Sequence, residues 1–335
     1  MHIIRPIVLL TCALTSSHLS LAFHPTDFET PLKVIAFGSC NRESLPQPMW
    51  PVIAENQPDL WIWGGDNIYG DSKDADVITA KYQKQLDQPN YAAFRKQFPI
   101  VGTWDDHDYG WNNAHGTYTL KTVTQGLALD FMGVPANDPR RQREGIYGAY
   151  DFGPEGQCVK VILLDNRYFS DNHRKDENPQ LLGDAQREWL ANTLSQSTAQ
   201  IHILVSGTQI ISEEHRHEKW ANFPTDRSWL LKFIREEAIP GVICISGDRH
   251  IHEISVLQEE DAPYPLVDIT SSGLTHSWES FKGEPNKHRV GEVFKELGFG
   301  TLEINWDSQP VTIIASIRDG SNQVVNTQQV ELSID

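Results

Sequence analysis

The chain contains 335 residues, of which 28 are lysine or arginine and 45 are aspartate or glutamate, giving a formal charge of −17 at pH 7. A protein that binds a phosphate backbone needs a basic face, so this balance argues against nucleic-acid binding. Hydrophobic residues make up 39% and charged residues 22%, which argues against intrinsic disorder and predicts a globular fold. The excess of acid leaves two interpretations open: a solvated surface, or carboxylates gathered around bound cations.

The N-terminal segment, residues 1–22, has the pattern of a secretory signal peptide. Arg5 precedes an apolar run, and Ser20 and Ala22 supply small residues at the −3 and −1 positions of a cleavage site. A membrane anchor is the alternative, but the apolar run is shorter than the ~20 residues that a span requires. We therefore expect a secreted or periplasmic protein without a membrane span, in which residues 23–335 form a single domain.

Strands and helices alternate along most of the chain, and strands dominate its C-terminal third. Apolar runs predict strands at residues 33–38, 59–63, 99–104, 148–152, 158–164, 201–206, 242–246, 252–257, 266–270, 300–305, 312–316 and 324–329. Helical periodicity and end signals predict helices at residues 49–55, 75–86, 119–131, 184–194 and 228–237. This order predicts an α/β fold in which two β-sheets pack face to face with helices outside.

Three cysteines follow the predicted signal peptide. Cys158 and Cys244 lie in apolar strands and are either core thiols or partners in a disulfide, which the sequence leaves open. An odd number of cysteines in an exported protein leaves at least one thiol for another role. Cys40 is the candidate, because it ends a strand beside polar residues.

Polar residues follow the ends of five predicted strands. The loops concerned carry Ser39-Cys40-Asn41, Asp66-Asn67, Asp105-Asp106-His107-Asp108, Asp165-Asn166-Arg167 and Asp248-Arg249-His250. Ligand sites of stacked α/β sheets lie at the carboxyl ends of the strands, so these loops are expected to converge. Adjacent acids repel one another and favour a nearby cation, which we expect to neutralise Asp66, Asp106, Asp108 and Asp248. Asp248 and His250, one residue apart, would point to the same side of a strand.

These motifs, in this order, resemble the alkaline phosphatase D-like (PhoD-like) metallophosphatases of the calcineurin-type metallophosphoesterase superfamily. The resemblance covers most of the mature chain and is carried by FGSCN, GGDNIYG, WDDHDYGWNN, LLDNRYFSD, ISGDRHIHEI and DITSSGLTH. It implies a four-layer αββα sandwich with two mixed β-sheets, and a cluster of two or more metal ions that catalyses the hydrolysis of phosphate esters.

The resemblance also implies a role for individual residues. The metal ligands that it implies are Cys40, Asp66, Tyr69, Asp106, Asn113 (or its neighbour Asn112), Asp248 and His250. Asp66 would bridge two ions, and His107 would lie near the leaving group. The family's mixed Fe³⁺ and Ca²⁺ cofactor agrees with these ligands, because thiolate, tyrosinate and imidazole suit ferric iron and carboxylate and amide oxygens suit calcium. Mn²⁺ and Zn²⁺ remain alternatives.

The predicted reaction is attack on a small-molecule phosphate ester by a hydroxide that the metal ions activate. His107 would stabilise or protonate the leaving oxygen. Arg167 and Arg249 are candidates for binding the phosphate oxygens, with an ordinary ion pair as the alternative for each. A phospholipase C-like or nuclease-like phosphodiesterase is a second hypothesis, and a non-catalytic cation-binding or adhesion module is a third.

Overall fold

The computed structural model describes residues 24–258 and 264–333, so the predicted signal peptide lies outside the described residues. The strands, in chain order, are β1 (Val34–Gly38), β2 (Leu60–Gly64), β3 (Ile100–Thr103), β4 (Gly148–Phe152), β5 (Val159–Leu163), β6 (Ile201–Ser206), β7 (Val242–Ser246), β8 (His252–Leu257), β9 (Leu266–Ser271), β10 (Arg289–Phe294), β11 (Gly298–Asn305), β12 (Val311–Asp319) and β13 (Val324–Leu332). The α-helices are α1 (Met49–Glu55), α2 (Ala75–Leu86), α3 (Pro89–Phe94), α4 (Asp106–Tyr109), α5 (Lys121–Phe131), α6 (Gly183–Ser195) and α7 (Pro224–Glu236). Two short 3₁₀ helices span Pro139–Arg141 and Trp220–Asn222.

The strands form two mixed sheets. The first has six strands in the order β13-β12-β11-β1-β2-β3, with parallel pairing from β1 to β3 and antiparallel pairing elsewhere. The second has seven strands in the order β10-β8-β9-β7-β6-β5-β4, in which β5, β6, β7 and β9 are parallel. The β-rich C-terminal third therefore supplies the antiparallel edge of the first sheet and one edge of the second.

The main core lies between the two sheets. Ile35 and Phe37 of β1 pack with Ile203 and Val205 of β6 in one buried cluster, whereas Ala36 belongs to the cluster on the outer side of its sheet. This alternation follows from the two-residue period of a strand. Because both faces of each central strand are covered, the sequences of these strands are continuous apolar runs.

The outer face of the first sheet is covered by an aromatic cluster. Trp50 of α1 contacts Trp61 and Trp63 of β2, with ring centroids 5.1 and 5.2 Å apart, and also Tyr91 and Phe94 of α3. All five rings are buried. Helices α6 and α7 pack on the outer face of the second sheet. The predicted α/β fold, with two mixed sheets face to face and helices outside, is confirmed.

The sequence prediction lacked the α-helices α3 and α4, the strand β10 and the two 3₁₀ helices. Helices α3 and α4 have six and four residues, which is too short for a helical period to show. Strand β10 contains a glycine and lies at the sheet edge with no fully buried residue. It therefore lacks the alternation of buried and exposed residues that marks a strand.

The carboxyl ends of the parallel strands from both sheets meet at one rim. A single bridge pairs Ser39, after β1, with Ser272, after β9. A Cβ atom on Gly247, after β7, would lie 2.6 Å from Ser39 Oγ and 2.8 Å from the carbonyl oxygen of Gly64. Glycine is therefore required where the two sheets come closest. The loops that carry the polar motifs converge at this rim.

The sequence left open whether Cys158 and Cys244 form a disulfide. Both are free thiols in the structure. None of the helices in the two described segments combines the length and the apolar character that a membrane crossing requires.

We predict that Trp50→Ala lowers the free energy of unfolding by about 3–5 kcal/mol, because it removes the central ring of the buried aromatic cluster and leaves a cavity. Denaturant titration followed by tryptophan fluorescence and circular dichroism measures the change. Val77→Ala on the exposed side of α2 is the control, since Val77 is 40% exposed, and it should shift stability by less than about 0.5 kcal/mol. Equal effects of the two substitutions would contradict the prediction.

Candidate metal centre

Five of the predicted metal ligands have a left-handed backbone. The φ angles are 57° at Cys40, 51° at Asp66, 57° at Asn113, 67° at Asp248 and 53° at His250. For a residue other than glycine this conformation costs on the order of 1–3 kcal/mol, and it concentrates at functional sites. The loops after four different strands thus adopt unfavourable backbone angles at the same rim.

Asp248 and His250 do not lie in a strand, so the expectation that they share a strand face is wrong. Strand β7 ends at Ser246 and β8 begins at His252. The left-handed angles at both residues break the extended backbone that a shared face requires. Both residues nevertheless line the same cleft, because the turn between β7 and β8 brings them there.

Cys40 and Tyr69 converge on the same carboxylate oxygen. The Cys40 thiol and the Tyr69 hydroxyl each donate to Asp66 Oδ2 at 3.4 Å. Ser272 Oγ lies 3.0 Å from Cys40 Sγ and accepts from the His250 backbone N–H at 2.7 Å. The thiol, phenol and carboxylate therefore form one compact set, and the loop of His250 is attached to it through Ser272.

A second set of carboxylates adjoins the first. Ligand atoms of Asp66, Asp106 and His107 lie within 4.8 Å of one another, and so do those of Asp105, Asp106 and Asp248. The His107 backbone N–H donates to Asp66 Oδ1 at 3.3 Å and to Asp106 Oδ1 at 2.9 Å. Asp66 therefore touches both sets, in the position expected of a ligand that bridges two ions.

Burial makes ionisation of most of these acidic groups unfavourable. Burial raises the pKa of the Cys40 thiol to about 12, and it raises the pKa values of Asp66 and Tyr69 well above their usual range. Burial also raises the pKa of Asp248 to about 6. The buried Nδ1 of His250 has no hydrogen-bond partner among the described residues, and burial lowers the pKa of this imidazole. Bound cations would reverse the penalty on the acids and use the neutral imidazole, so these donors fit metal ions.

Arg167 supplies buried positive charge beside the second set. Its Nε donates to Asp105 Oδ1 at 2.6 Å and its Nη1 to Glu218 Oε2 at 2.8 Å, while its Nη2 lies 4.0 Å from Asp106 Oδ1. Burial alone would raise the pKa of Asp106, but Arg167 and His107 outweigh it and lower that pKa below its usual value. Arg167 thus keeps Asp106 ionised.

Asp108 does not belong to the cation-facing group in which the sequence analysis placed it. Its carboxylate accepts from the backbone N–H groups of Asn67 at 2.9 Å, Asp105 at 3.1 Å and Ile68 at 3.2 Å. These bonds satisfy the Asp108 oxygens and hold the loop after β2 against α4. Asp108 is therefore a support for the neighbouring ligand loop.

His107 projects into the cleft and is oriented by an acid. Its Nδ1 lies 2.6 Å from Asp71 Oδ1, and its ring lies 4.1 Å from the Tyr69 ring. Burial would lower the pKa of His107, but the hydrogen bond to Asp71 and the surrounding carboxylates outweigh it and raise the pKa above its usual value. This arrangement favours a protonated imidazole whose second nitrogen, Nε2, is free of the Asp71 contact.

An open cleft of about 420 Å³ lies above these groups. Its lining residues are Asp66, His107, Asn112, Asn113, Arg174, Arg216, His217, Glu218, Asp248, Arg249, His250 and Trp278. Arg249 reaches this cleft while its Nη2 donates to Glu284. The backbone N–H of Asn113 donates to Asp106 Oδ2 at 2.5 Å, but both asparagines line the cleft. The choice between their side chains as ligands stays a prediction, as do the phosphate contacts of Arg167 and Arg249.

The structure brings the predicted ligands and His107 to one place and adds residues that the sequence analysis missed. Asp71, Asp105 and Glu218 contact His107 or Arg167 directly. Asp105 was visible in the run of acids, but it adjoins Asp106 and only the backbone decides which of the two faces the arginine. Asp71 directly follows the GGDNIYG motif and Glu218 lies in the loop after β6, but nothing in the sequence indicated that they contact His107 and Arg167.

The fold is that of the metallophosphatases. A solved structure of PhoD matches with a TM-score of 0.70 and 18% identity, covering 92% of this chain and 70% of that one. A dimetal phosphatase from Danio rerio matches with a TM-score of 0.55 and 12% identity over 90% of this chain and 100% of that one. GAP50, the anchor in the inner membrane complex of Plasmodium, matches with a TM-score of 0.60 and 14% identity over 91% and 90%.

Residues 35–297 match the model of the PhoD-like phosphatase family, and the chain belongs to that family. The resemblance seen in the motifs is thereby confirmed. Alkaline phosphatase D of Bacillus subtilis (strain 168) is 24% identical over 276 residues, which cover 66% of this chain. The chain spans 46% of the length of that relative, or about half of it.

We predict that Arg167→Met lowers the free energy of unfolding by about 3–5 kcal/mol, because Asp105 and Glu218 are left buried without their cation. Denaturant titration measures the loss. The double variant Arg167→Met/Asp105→Asn should recover part of it, since one uncompensated charge is removed. Arg187→Met, at a partly exposed arginine of α6, is the matched control. A stability of Arg167→Met equal to that of the control would contradict the prediction.

Proposed function

We propose that this protein hydrolyses phosphate esters of small molecules with a pair of metal ions held at the junction of the two sheets. The observation that carries the proposal is the buried cluster around Asp66, where a thiol, a phenol and several carboxylates meet without matching positive charge. Membership of the PhoD-like phosphatase family supports the reaction class. Because the chain spans about half of its curated relative, the activity of that relative remains a proposal here.

The ligand types favour two different ions. Cys40 and Tyr69, with the neutral imidazole of His250, form a set suited to Fe³⁺, whereas Asp106, Asp248 and an asparagine oxygen suit Ca²⁺. Mn²⁺ and Zn²⁺ are the alternatives. When bound, such a pair would neutralise the charge of the phosphoryl oxygens and lower the pKa of a water molecule. Asp66 would hold the two ions together.

His107 is proposed as the proton donor to the leaving oxygen. Its Nδ1 is engaged with Asp71, so Nε2 is the nitrogen that delivers the proton. The raised pKa favours the protonated form of this imidazole. A positioned general acid contributes about 10²–10⁴-fold to a rate. Arg167 has an indirect role in the proposed reaction, because its positive charge lowers the pKa of Asp106 and keeps that carboxylate ionised.

Two other hypotheses use the same site. A phospholipase C-like or nuclease-like phosphodiesterase would need the same metal pair, and only substrate comparison separates it from a monoesterase. A non-catalytic cation-binding module predicts ligands without a proton donor. The ion pair of His107 with Asp71 favours an enzyme over that module. A secreted or periplasmic location is proposed on the N-terminal pattern of residues 1–22 alone.

We predict that Cys40→Ser removes most of the iron from the purified protein, because a hydroxyl is a much poorer ligand than a thiolate for this ion. Elemental analysis by mass spectrometry measures iron and calcium in the same sample. Cys158→Ser is the matched control, since Cys158 is another free thiol outside the cleft. Unchanged iron in Cys40→Ser, or equal loss in both variants, would show that Cys40 is not a ligand.

We predict that the wild-type protein hydrolyses p-nitrophenyl phosphate and phenyl phosphate at alkaline pH. At neutral and lower pH, where the raised pKa of His107 favours its protonated form, His107→Gln should lower kcat for phenyl phosphate by about 10²-fold or more. The loss for p-nitrophenyl phosphate should be much smaller, because its leaving group departs without a proton. Asp71→Asn should show the same pattern more weakly, and the remote Asp307→Asn should show no effect.

Bis(p-nitrophenyl) phosphate and a phosphatidylcholine dispersion, assayed beside the monoesters, separate the phosphodiesterase and phospholipase hypotheses. Absence of turnover of all four substrates by metal-loaded protein would overturn the proposed function. Equal losses of His107→Gln on the two monoesters would remove only the assignment of the general acid.

A further inference from the structure

Two arginines at the mouth of the cleft have no acidic partner in the part of the chain that the structure describes. Arg174 and Arg216 line the cleft and are exposed. Neither side chain forms an ion pair or hydrogen bond with another group in residues 24–258 and 264–333. The arginines deeper in the site differ, because Arg167 pairs with Asp105 and Glu218, and Arg249 pairs with Glu284. The hydrogen-bond donors of the two mouth arginines are therefore available to a ligand.

Their charge acts on the cleft itself. Burial is the main cause of the lowered pKa of His217, a lining residue, and the charges of Arg249 and Arg216 lower it further. Burial likewise lowers the pKa of His173, and Arg174 adds to that effect. Arg174 and Arg216 come from two different loops, one after β5 and the other after β6. Two uncompensated cations at one opening stand out in a chain whose formal charge is −17.

The cleft has room for more than a phosphoryl group. Its volume of about 420 Å³ falls within the range of about 300–1,000 Å³ typical of sites for small organic ligands. The acidic floor, with Asp66 and Asp248, would be occupied by metal ions and by the phosphoryl group under attack. Arg174 and Arg216 line the same cleft and are exposed, so their guanidinium groups are open to a second group of the substrate.

We propose that the preferred substrate carries a second phosphate group, and that Arg174 and Arg216 bind it while the first phosphate is hydrolysed on the floor of the cleft. This inference rests on the proposed phosphoesterase function and assigns its substrate class: small organic diphosphates and bisphosphates. A guanidinium fork matches phosphate oxygens with paired hydrogen bonds. When the substrate is a monoester with an uncharged leaving group, the guanidinium groups of Arg174 and Arg216 donate only to water.

The experiment compares two ligands that cannot be hydrolysed at phosphorus, methylphosphonate and methylenediphosphonate, which differ by one phosphonate group. Titration calorimetry of the metal-loaded wild-type protein should give at least about tenfold tighter binding of the diphosphonate, the gain expected from charge-assisted hydrogen bonds to the extra group. Arg174→Gln and Arg216→Gln should each reduce this preference about threefold, and the double variant should abolish it. Higher salt should weaken the preference, because both arginines are exposed.

Arg187→Gln, at an arginine of α6 that does not line the cleft, should keep the wild-type preference. Methylphosphonate affinity should change less than about twofold in every variant, and metal content is measured after each titration to account for chelation by the diphosphonate. A preference that persists in the double variant overturns the inference, whatever the turnover of p-nitrophenyl phosphate. A protein that shows the arginine-dependent preference but hydrolyses no phosphate ester contradicts the proposed function instead.

Discussion

The rest of the site depends on the burial of acidic groups that cannot all ionise together. Cys40, Asp66, Tyr69 and Asp248 all have pKa values raised by burial, whereas Arg167 and His107 lower the pKa of Asp106. Close packing of these groups is unfavourable unless cations join them. The backbone adds its own cost, because five of the predicted ligands have left-handed conformations. The surrounding parts of the fold must therefore keep these residues in place.

That support comes from the packed sheets and helices, and from polar residues that contact the ligand loops. The aromatic cluster under the first sheet and the apolar core between the sheets hold the strand ends in place. Asp108 anchors the loop after β2, Ser272 anchors the loop after β7, and Asp71 orients His107. These side chains support the site without contacting a phosphate group themselves. Their common effect is to let strained loops keep one geometry.

The sequence predicted the layers and the ligand loops better than it predicted the supports. Apolar runs revealed the central strands because these are covered on both faces, and motifs at the strand ends revealed Cys40, Asp66 and His250. The short helix α4 and the edge strand β10 carry too little periodicity to be seen. Asp248 and His250 follow the end of a strand, as the sequence predicted, but a turn and not a shared strand face brings them together. Asp71 and Glu218 were missed because their role depends on contacts that separate loops make in space.

The bridge between Ser39 and Ser272 has a further consequence for the thermodynamics of the whole chain. The candidate ligands come from both sheets: Cys40, Asp66 and Asp106 follow strands of the first, whereas Asp248 and His250 follow β7 of the second. Ions held between them would act as cross-links between sheets that otherwise meet mainly through apolar side chains. Because a ligand that binds only the folded state stabilises that state by mass action, ions held by donors from both sheets would stabilise the two sheets in their packed arrangement.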